Sequence, residues 1–115
     1  MPTIDAYSFG NMTIDGKSYR KDIIIYPDNA ILCPWWRNSG HRLEIADIKT
    51  LIDMQPDLII AGTGSPGLMA PAKGLRDILQ EKGIEFVGLP TGEAIKLYNE
   101  RARTHRTGGC FHLTC

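Results

Sequence analysis

A short, uninterrupted apolar run in the middle of the chain places the strongest constraint on the fold. Residues 58–61 read Leu-Ile-Ile-Ala, and the loop Gly-Thr-Gly-Ser-Pro-Gly follows them. A run this short, bounded by a glycine turn, is typical of a strand that is covered on both faces. Such strands lie inside the parallel sheets of α/β proteins, because crossover helices cover both sides of the sheet. The run therefore predicts a layered α/β fold with this strand in the interior of the sheet.

The residues before this run read as strands. Asp15-Gly16 separates two alternating segments and predicts a β-hairpin with a type I′ turn. Residues 18–26 are predicted to continue as one longer strand, which the turn Pro27-Asp28-Asn29 ends. Residues 30–36 predict another strand, and Pro34 confines it to an edge or a bulge. The first third of the chain is therefore expected to supply antiparallel hairpins.

Helices and strands alternate in the rest of the chain. Apolar spacing predicts helices over residues 45–52 and 71–82 and from residue 91, with Pro71 at a first helical position and Thr91 as an N-cap. Residues 84–89 and 110–115 read as strands. This order predicts parallel strands joined by right-handed crossovers. The expected fold is a three-layer α/β domain over residues 1–115, with a mixed central sheet, N-terminal antiparallel hairpins and about three helices.

Charge and composition argue against several classes of protein. Thirteen lysines and arginines balance thirteen aspartates and glutamates, which removes the electrostatic footprint of a general nucleic-acid binder. The first ten residues lack the basic and apolar regions of a signal peptide, and the apolar stretches are too short to span a membrane. We therefore expect a cytoplasmic protein with no nucleic-acid or membrane partner. Its three cysteines form no Cys-x-x-Cys pair and are expected to be reduced.

The glycine loop raises the question of nucleotide binding, because residues 62–67 match the letters G-x-G-x-x-G. In a dinucleotide site the third glycine lies in the helix that begins there, and an acid ends the next strand. Here Pro66 precedes the third glycine, the nearest helix start is Pro71, and the next strand ends in Gly88-Leu89-Pro90. The Gly-Lys-Ser/Thr of a phosphate loop is also missing. We therefore expect no nucleotide cofactor.

The same loop has two further interpretations. It follows the carboxyl end of an inner strand, where the ligands of open α/β sheets bind. Exposed backbone N–H groups and hydroxyls at this position could hold a small anion or a partner's carboxylate. Alternatively, the glycines only allow the chain to turn sharply over the sheet. The residues concerned are Gly62, Thr63, Gly64 and Ser65.

Histidines and cysteines suggest a metal or a nucleophile, but neither pattern is strong. His112 and Cys115 would fall on opposite faces of an extended strand, and no second pair has ligand spacing, so we expect no metal. A Cys–His nucleophilic pair requires the two groups within hydrogen-bond reach and stays open at this point. The carboxylates are scattered, and the chain has no Gly-x-Ser-x-Gly elbow. The sequence therefore contains no recognisable catalytic set.

The densest aromatic patch is Trp35-Trp36-Arg37. On a strand, one of the two indoles should face the core and the other the surface or a cleft. An exposed tryptophan beside an arginine is the composition of an interface hot spot. The alternative is that both rings pack under the loop that follows.

Five segments occur in an order that resembles one known family. They are IDGKSYRKDIII, WWRNSGH, IIAGTG, PTGEAIKLYN and FHLTC. With them the chain resembles the small Mth domain family of adipogenesis-associated proteins, which also includes a mitochondrial assembly factor for respiratory complex I. The resemblance covers essentially the whole chain and implies a three-layer α/β fold without an established reaction. The family-type positions, to which no chemical role is attached, are Asp15, Gly16, Trp36, Gly40, His41, Gly62, Thr63, Gly64, Thr91, Ala94 and Asn99.

The resemblance, the neutral charge and the missing catalytic set favour a non-enzymatic binding, assembly or regulatory module. A mitochondrial presequence is not recognisable, so the chain resembles stand-alone prokaryotic-type members of the family. We expect a protein partner or a small anionic ligand and no cofactor, and the hairpin edges could pair across a homodimer. The alternative is a small enzyme or ligand-binding protein that uses the same cleft, with His41 or Glu93 as acid or base. The candidate contact residues are Gly62, Thr63, Gly64, Ser65, Trp36, Arg37, His41, Arg76 and Glu93.

Overall fold

Within residues 2–115, which the computed structural model describes, ten strands and three α-helices follow one another. The strands are β1 (Ile4–Ser8), β2 (Asn11–Ile14), β3 (Lys17–Tyr19), β4 (Ile23–Ile25), β5 (Ile31–Leu32), β6 (Arg42–Leu43), β7 (Leu58–Gly62), β8 (Ala70–Pro71), β9 (Glu85–Leu89) and β10 (Thr107–Phe111). The helices are α1 (Lys49–Asp53), which a 3₁₀ turn at Ile45–Ile48 precedes, α2 (Leu75–Glu81) and α3 (Thr91–Arg101). In this described part of the chain, no helix has the length and apolar character needed to cross a bilayer.

The central sheet has five strands in the order β5-β4-β10-β7-β9. Strands β10, β7 and β9 are parallel, whereas β4 and β5 join antiparallel at one edge. All five residues of β7 are buried, because strands flank it on both sides and helices cover both faces. The sheet is therefore mixed, and the prediction of an inner strand at the apolar run is confirmed.

An apolar core lies on each face of this sheet. On one face, Leu51 of α1 and Leu79 of α2 pack over Ile59 and Cys110. On the other face, α3 packs together with a separate antiparallel sheet formed by β1, β2 and β3, and Tyr98 is the largest buried side chain there. These are the three layers of the predicted α/β fold.

The hairpin at Asp15-Gly16 forms as predicted, with positive φ angles of 49° and 83° at the two turn residues. The single long strand predicted for residues 18–26 is wrong. Strand β3 ends at Tyr19 in the small sheet, and β4 begins at Ile23 in the central sheet. The chain passes from one sheet to the other at Asp22, whose carboxylate points inward and contacts Arg37 and His112.

The predicted start of the second helix is also wrong. Pro71 pairs in β8 with β6, and the left-handed Gly74 precedes α2, which begins only at Leu75. Ile78, one of the apolar residues whose spacing predicted this helix, is 41% exposed. Thr91 is the first residue of α3 and makes no capping hydrogen bond, because its hydroxyl donates to the carbonyl of His112.

The last strand begins earlier than its predicted start at residue 110. Gly108 and Gly109 lie inside β10 and do not precede it. A β-carbon on Gly108 would come within 2.5 Å of the Leu51 side chain, and one on Gly109 within 2.5 Å of the Phe111 ring. The two glycines therefore allow side chains to pack directly on the middle of the sheet.

Candidate functional site

Three charged or polar side chains from distant parts of the chain meet at one end of the sheet. Asp22 precedes β4, Arg37 follows β5 and His112 follows β10. One carboxylate oxygen of Asp22 lies 2.7 Å from Nη1 of Arg37 and 2.8 Å from Nδ1 of His112. The other oxygen accepts the backbone N–H of Leu113 at 2.8 Å. We refer to Asp22, Arg37 and His112 as the buried polar cluster.

The carboxylate of Asp22 is stabilised in its charged form. Burial alone would raise its pKa, but the hydrogen bonds from His112, the Leu113 backbone and Arg37 outweigh burial and hold the pKa below its ordinary value. An ionised carboxylate only accepts hydrogen bonds, so we assign the Nδ1 proton of His112 to this bond. Asp22 thus fixes the orientation of both partners.

Two nitrogens of the buried polar cluster keep spare hydrogen-bonding capacity. Nε of Arg37 and Nε2 of His112 are buried and have no partner among residues 2–115. Most buried polar atoms in proteins are paired, so two such atoms in one cluster are unusual. They mark this end of the sheet as a place where a further group could bind.

The glycine loop (residues 62–65) does not offer the exposed N–H groups expected of an anion nest. Its first three residues are buried. The N–H groups after β7 are donated within the chain, and the interpretation as an open nest is therefore wrong at the level of geometry. The pairs, each at 2.8 Å, are Thr63 with the Leu89 carbonyl, Gly64 with the Thr91 hydroxyl and Ser65 with the Thr114 carbonyl.

The hydroxyl of Thr91 joins the glycine loop to the last strand. It accepts the N–H of Gly64 at 2.8 Å and donates to the carbonyl of His112 at 2.6 Å. Thr91 is completely buried, so both hydrogen bonds form without competition from water. The first residue of α3 therefore positions the backbone on which the buried polar cluster depends.

Thr91→Val should destabilise the protein by about 2–3 kcal/mol, since the substitution keeps the shape but leaves a buried N–H and a buried carbonyl unpaired. Urea denaturation measures the change in the free energy of unfolding. Thr50→Val is the matched control, because the Thr50 hydroxyl bonds only to Tyr26 at an exposed position. Equal losses in the two variants would contradict the role given to Thr91.

His41 and Cys115 lie beside the buried polar cluster. The Sγ atom of Cys115 is 3.8 Å from Nε2 of His41, and the His41 ring lies edge-on to that of His112 with centroids 6.1 Å apart. A Cys–His pair requires its two groups to be within reach of each other, and these two residues are so although they are 74 positions apart in the sequence. Cys115 lies beyond the end of β10, so the expected alternation between His112 and Cys115 on a strand does not apply. Within residues 2–115, no group of three or more metal-ligating side chains is arranged to hold a metal.

The two tryptophans divide between the core and the surface as predicted, although the strand predicted over residues 30–36 ends at Leu32 and both lie beyond it. Trp35 is 3% exposed and donates its indole N–H to the Asp47 carbonyl, whereas Trp36 is 75% exposed. The alternative with both rings packed under the loop is wrong. Arg37 is also placed differently than expected, since its side chain is 5% exposed and its guanidinium lies over the Trp35 ring. Its positive charge is paired with Asp22 inside the protein, so Arg37 does not lie beside Trp36 at the surface.

Arg76 and Glu93 lie apart from the other candidate residues. Arg76 on α2 donates to the Phe86 carbonyl, and it lines a separate pocket of about 480 Å³ beside β9. Glu93 is exposed in the first turn of α3. Within the described residues, no hydrogen bond or ion pair connects either side chain to the buried polar cluster. The pocket that Arg76 lines includes none of the other candidate residues.

Three exposed apolar side chains belong to segments that contact residues 113–115. Gly10, next to Phe9, donates its N–H to the Leu113 carbonyl at 2.8 Å. Leu68 donates its N–H to the Cys115 carbonyl at 3.0 Å. Trp36 lines a pocket of about 210 Å³ together with Leu113. We refer to Phe9, Trp36 and Leu68, which are 64%, 75% and 52% exposed, as the apolar surface set.

Local sequence patterns do not predict most of these contacts. They place Asp22 inside a strand and treat Cys115 as one of three reduced thiols. The partners in the buried polar cluster are 15, 75 and 90 positions apart, so no local spacing signals the cluster. The useful signal is weaker: FHLTC and WWRNSGH are two of the segments that carry the family resemblance, and both supply residues to this end of the sheet.

The fold and the site define a three-layer mixed α/β protein with a buried Asp–Arg–His cluster beneath the end of its central sheet. The chain belongs to the family described as "Protein of unknown function (DUF498/DUF598)", whose model matches residues 4–112. This agrees with the resemblance to the Mth domain family.

Solved structures support the same assignment. The protein described as MT938 has a TM-score of 0.84 and 27% identity, with all of both chains covered. A conserved hypothetical protein from Pyrococcus horikoshii OT3 has a TM-score of 0.83 and 27% identity, covering 98% of this chain and 99% of the other. A Mth938-like domain from Bordetella pertussis has a TM-score of 0.64 at 17% identity, covering 97% and 85%, and it supports the fold alone.

Proposed function

We propose that the protein is a non-enzymatic binding module that recognises a protein partner through Trp36 and the rest of the apolar surface set. The exposure of Trp36 carries this proposal. Its two neighbours, Trp35 and Arg37, are both buried and hydrogen-bonded, so the backbone that presents the exposed indole is held in place. Tryptophan is enriched among the residues that dominate binding energy. A backbone that is already held in place loses little conformational entropy when a partner binds.

The surroundings of Trp36 favour a partner with acidic groups. Arg20 and Lys21 are exposed and line the pocket of about 210 Å³ beside Trp36. The negative charge of Asp22, which lines the same pocket, is already matched by Arg37. A partner segment with one apolar side chain for this pocket and a neighbouring carboxylate would be complementary to it. Such charge pairs mainly set specificity and association rate.

A photo-crosslinking experiment in cells tests the proposal. A benzophenone amino acid at position 36 should give one discrete adduct with another protein, whereas the same amino acid at position 78 should give none. Ile78 is the matched control because it is an exposed apolar residue on α2, which packs against β9 at the opposite edge of the sheet from β5. Equal labelling at both positions would contradict the proposal. An adduct between two copies of this chain would mean that the partner is a second copy of the chain and not a different protein.

Trp36→Ala should weaken binding of the partner recovered in this way by about 30-fold or more, which corresponds to the loss of a hot-spot side chain. Because the ring is exposed, the free energy of unfolding should change by less than about 0.5 kcal/mol. Isothermal titration calorimetry measures the first effect and urea denaturation the second. Ile78→Ala should leave the affinity unchanged. Arg37→Ala is unsuitable as a binding probe, because Arg37 is buried in an ion pair.

A small-ligand function has one observation in its favour. Arg37 and His112 each keep an unpartnered nitrogen, and the His41 ring lies 6.1 Å from that of His112, so this end of the sheet has polar groups that a small anion could engage. Thermal denaturation with a panel of metabolites distinguishes the two functions. A ligand that binds only the folded state at a hundredfold excess over its Kd stabilises by about 2.7 kcal/mol. A shift of that size with one compound, abolished in His41→Ala, would favour the small ligand over the protein partner.

A further inference from the structure

The three cysteines lie in three different chemical environments. Cys110 is fully buried in β10, and burial raises the pKa of its thiol to about 12. Cys33 is half-buried, and its thiol donates to the Lys21 carbonyl at 3.5 Å. Cys115 is half-buried to a similar degree, but its sulfur lies 3.8 Å from Nε2 of His41. Within residues 2–115, only Cys115 has an imidazole positioned to take the proton of its thiol.

A second group beside this pair has an unused hydrogen-bonding atom. The side chain of His112 is 8% exposed, and its Nδ1 faces Asp22. Its Nε2 is bonded to Cδ2, so it lies on the other side of the ring. On that side the ring approaches Gly64, because Cδ2 lies 2.8 Å from the position that a β-carbon on Gly64 would occupy. The Cys115 carbonyl lies 2.9 Å from the same position. The free nitrogen of His112 is therefore on the side of the ring that faces the Cys115 backbone, and the His41 ring lies edge-on to the same ring.

The thiol is also held in a defined position. The backbone segment that carries it is tied to the loop after β7, because Ser65 donates to the Thr114 carbonyl at 2.8 Å and Leu68 donates to the Cys115 carbonyl at 3.0 Å. A nucleophile and its base gain most when their relative position is fixed before the reaction. These two hydrogen bonds fix the backbone from which the Cys115 thiol extends.

We propose that Cys115 is a site of reversible modification by small peptide-like disulfides such as oxidised glutathione, with His41 as the base. This inference goes beyond partner binding, because it requires no second protein. His112 Nε2 supplies an acceptor for an amide N–H of the incoming disulfide. His41 is exposed and can therefore exchange its proton with water between reactions.

The exchange is balanced without any further reactant. His41 takes the thiol proton, and the Cys115 sulfur attacks one sulfur of the disulfide R–S–S–R. A new S–S bond forms between Cys115 and R–S, while the original S–S bond breaks and its electron pair leaves with the second sulfur. That R–S⁻ takes the proton from His41 and departs as R–SH. The Cys115 sulfur is oxidised to the mixed disulfide, the departing sulfur is reduced, and an excess of R–SH reverses the reaction.

Peptide mass spectrometry after timed exposure to oxidised glutathione tests the proposal, because the three cysteines are compared within one protein. Cys115 should react at least about tenfold faster than Cys33, and Cys110 should remain unmodified while the protein is folded. His41→Asn should slow Cys115 about tenfold and leave Cys33 unchanged, since a positioned base typically contributes at least that much. Arg42→Gln, at the exposed neighbouring position, should slow neither cysteine.

Two results would overturn the proposal. One is a Cys33 rate equal to that of Cys115, and the other is a Cys115 rate that His41→Asn leaves unchanged. Reaction at Cys110 reports any loss of the fold in a variant. If His41→Asn shows such a reaction, His41→Gln takes its place, and the same comparison of Cys115 with Cys33 decides the outcome.

Discussion

Gly64→Ala is expected to destabilise the protein by about 3–5 kcal/mol, close to the loss of the fold for a domain of ordinary stability. Gly64 has φ +101°, a conformation that costs alanine about 1–2 kcal/mol. The larger part of the effect is steric. A β-carbon at this position would collide with the Thr114 carbonyl and lie 2.8 Å from Cδ2 of His112 and 2.9 Å from the Cys115 carbonyl. Two of these three atoms belong to the backbone, so a rotamer change cannot relieve the contact.

Gly83→Ala separates the steric part from the conformational part. Gly83 also has a positive φ, 76°, but nothing lies within 4 Å of where its β-carbon would stand. This control should therefore lose only about 1–2 kcal/mol. Urea denaturation of both variants gives the two free energies of unfolding. A Gly64→Ala loss no greater than that of Gly83→Ala would show that the chain after β10 can move away from the glycine loop.

These glycine contacts also explain why the match to G-x-G-x-x-G does not predict what the glycines make room for. In a dinucleotide site the glycines make room for a pyrophosphate. Here Gly62 makes room for Phe111 and Thr91, and Gly64 for the segment after β10. Helix α2 begins at residue 75, well past Gly67. The letters of the motif record that something approaches the backbone closely, and only the fold reveals that the approaching group is the chain itself.

Local patterns predicted the elements whose determinants are local. The Asp15-Gly16 turn depends on two neighbouring residues with positive φ, and the buried β7 on its own apolar side chains. Boundaries failed where a distant contact decides them. Strand β4 begins late because Asp22 pairs with residues 15 and 90 positions away, and α2 begins late because Pro71 pairs with β6. Propensity contains no information about such partners.

The candidate site was predictable only in part. The prediction that one tryptophan faces the core and the other the surface is confirmed, with Trp35 inside and Trp36 outside. Strict alternation would place Arg37 on the same side as Trp35, where the ion pair with Asp22 holds it, but the hot-spot interpretation grouped Arg37 with Trp36. Arg76 and Glu93 were grouped with the glycine loop, but Arg76 lines a separate pocket beside β9 and Glu93 is exposed in the first turn of α3. Adjacency in sequence therefore did not show which side chains share a surface.

Asp22→Asn is expected to destabilise the protein by about 3–5 kcal/mol at neutral pH, because removing one partner leaves a buried charge uncompensated. The Arg37 side chain is 5% exposed, and its remaining contacts, to the Gly40 carbonyl at 2.8 Å and to Nδ1 of His112 at 3.1 Å, carry no opposite charge. The amide oxygen of the variant would still accept the Leu113 N–H, so the loss reports mainly on the charge. Asp53→Asn is the matched control, because Asp53 pairs with Lys49 at an exposed surface and should contribute less than about 0.5 kcal/mol.

The pH dependence of stability provides an independent check on the same carboxylate. Its folded pKa lies below the unfolded value of 3.8, so the folded state binds fewer protons than the unfolded state in that range. The stabilisation by Asp22 is therefore fully present well above pH 3.8 and is lost as the pH falls below it toward the folded pKa. In urea denaturation series from about pH 7 to about pH 3, the difference between the wild type and Asp22→Asn should narrow at the acid end. A difference that stays constant down to the acid end would mean that hydrogen-bond geometry, and not the charge of Asp22, holds Arg37 and His112 in place.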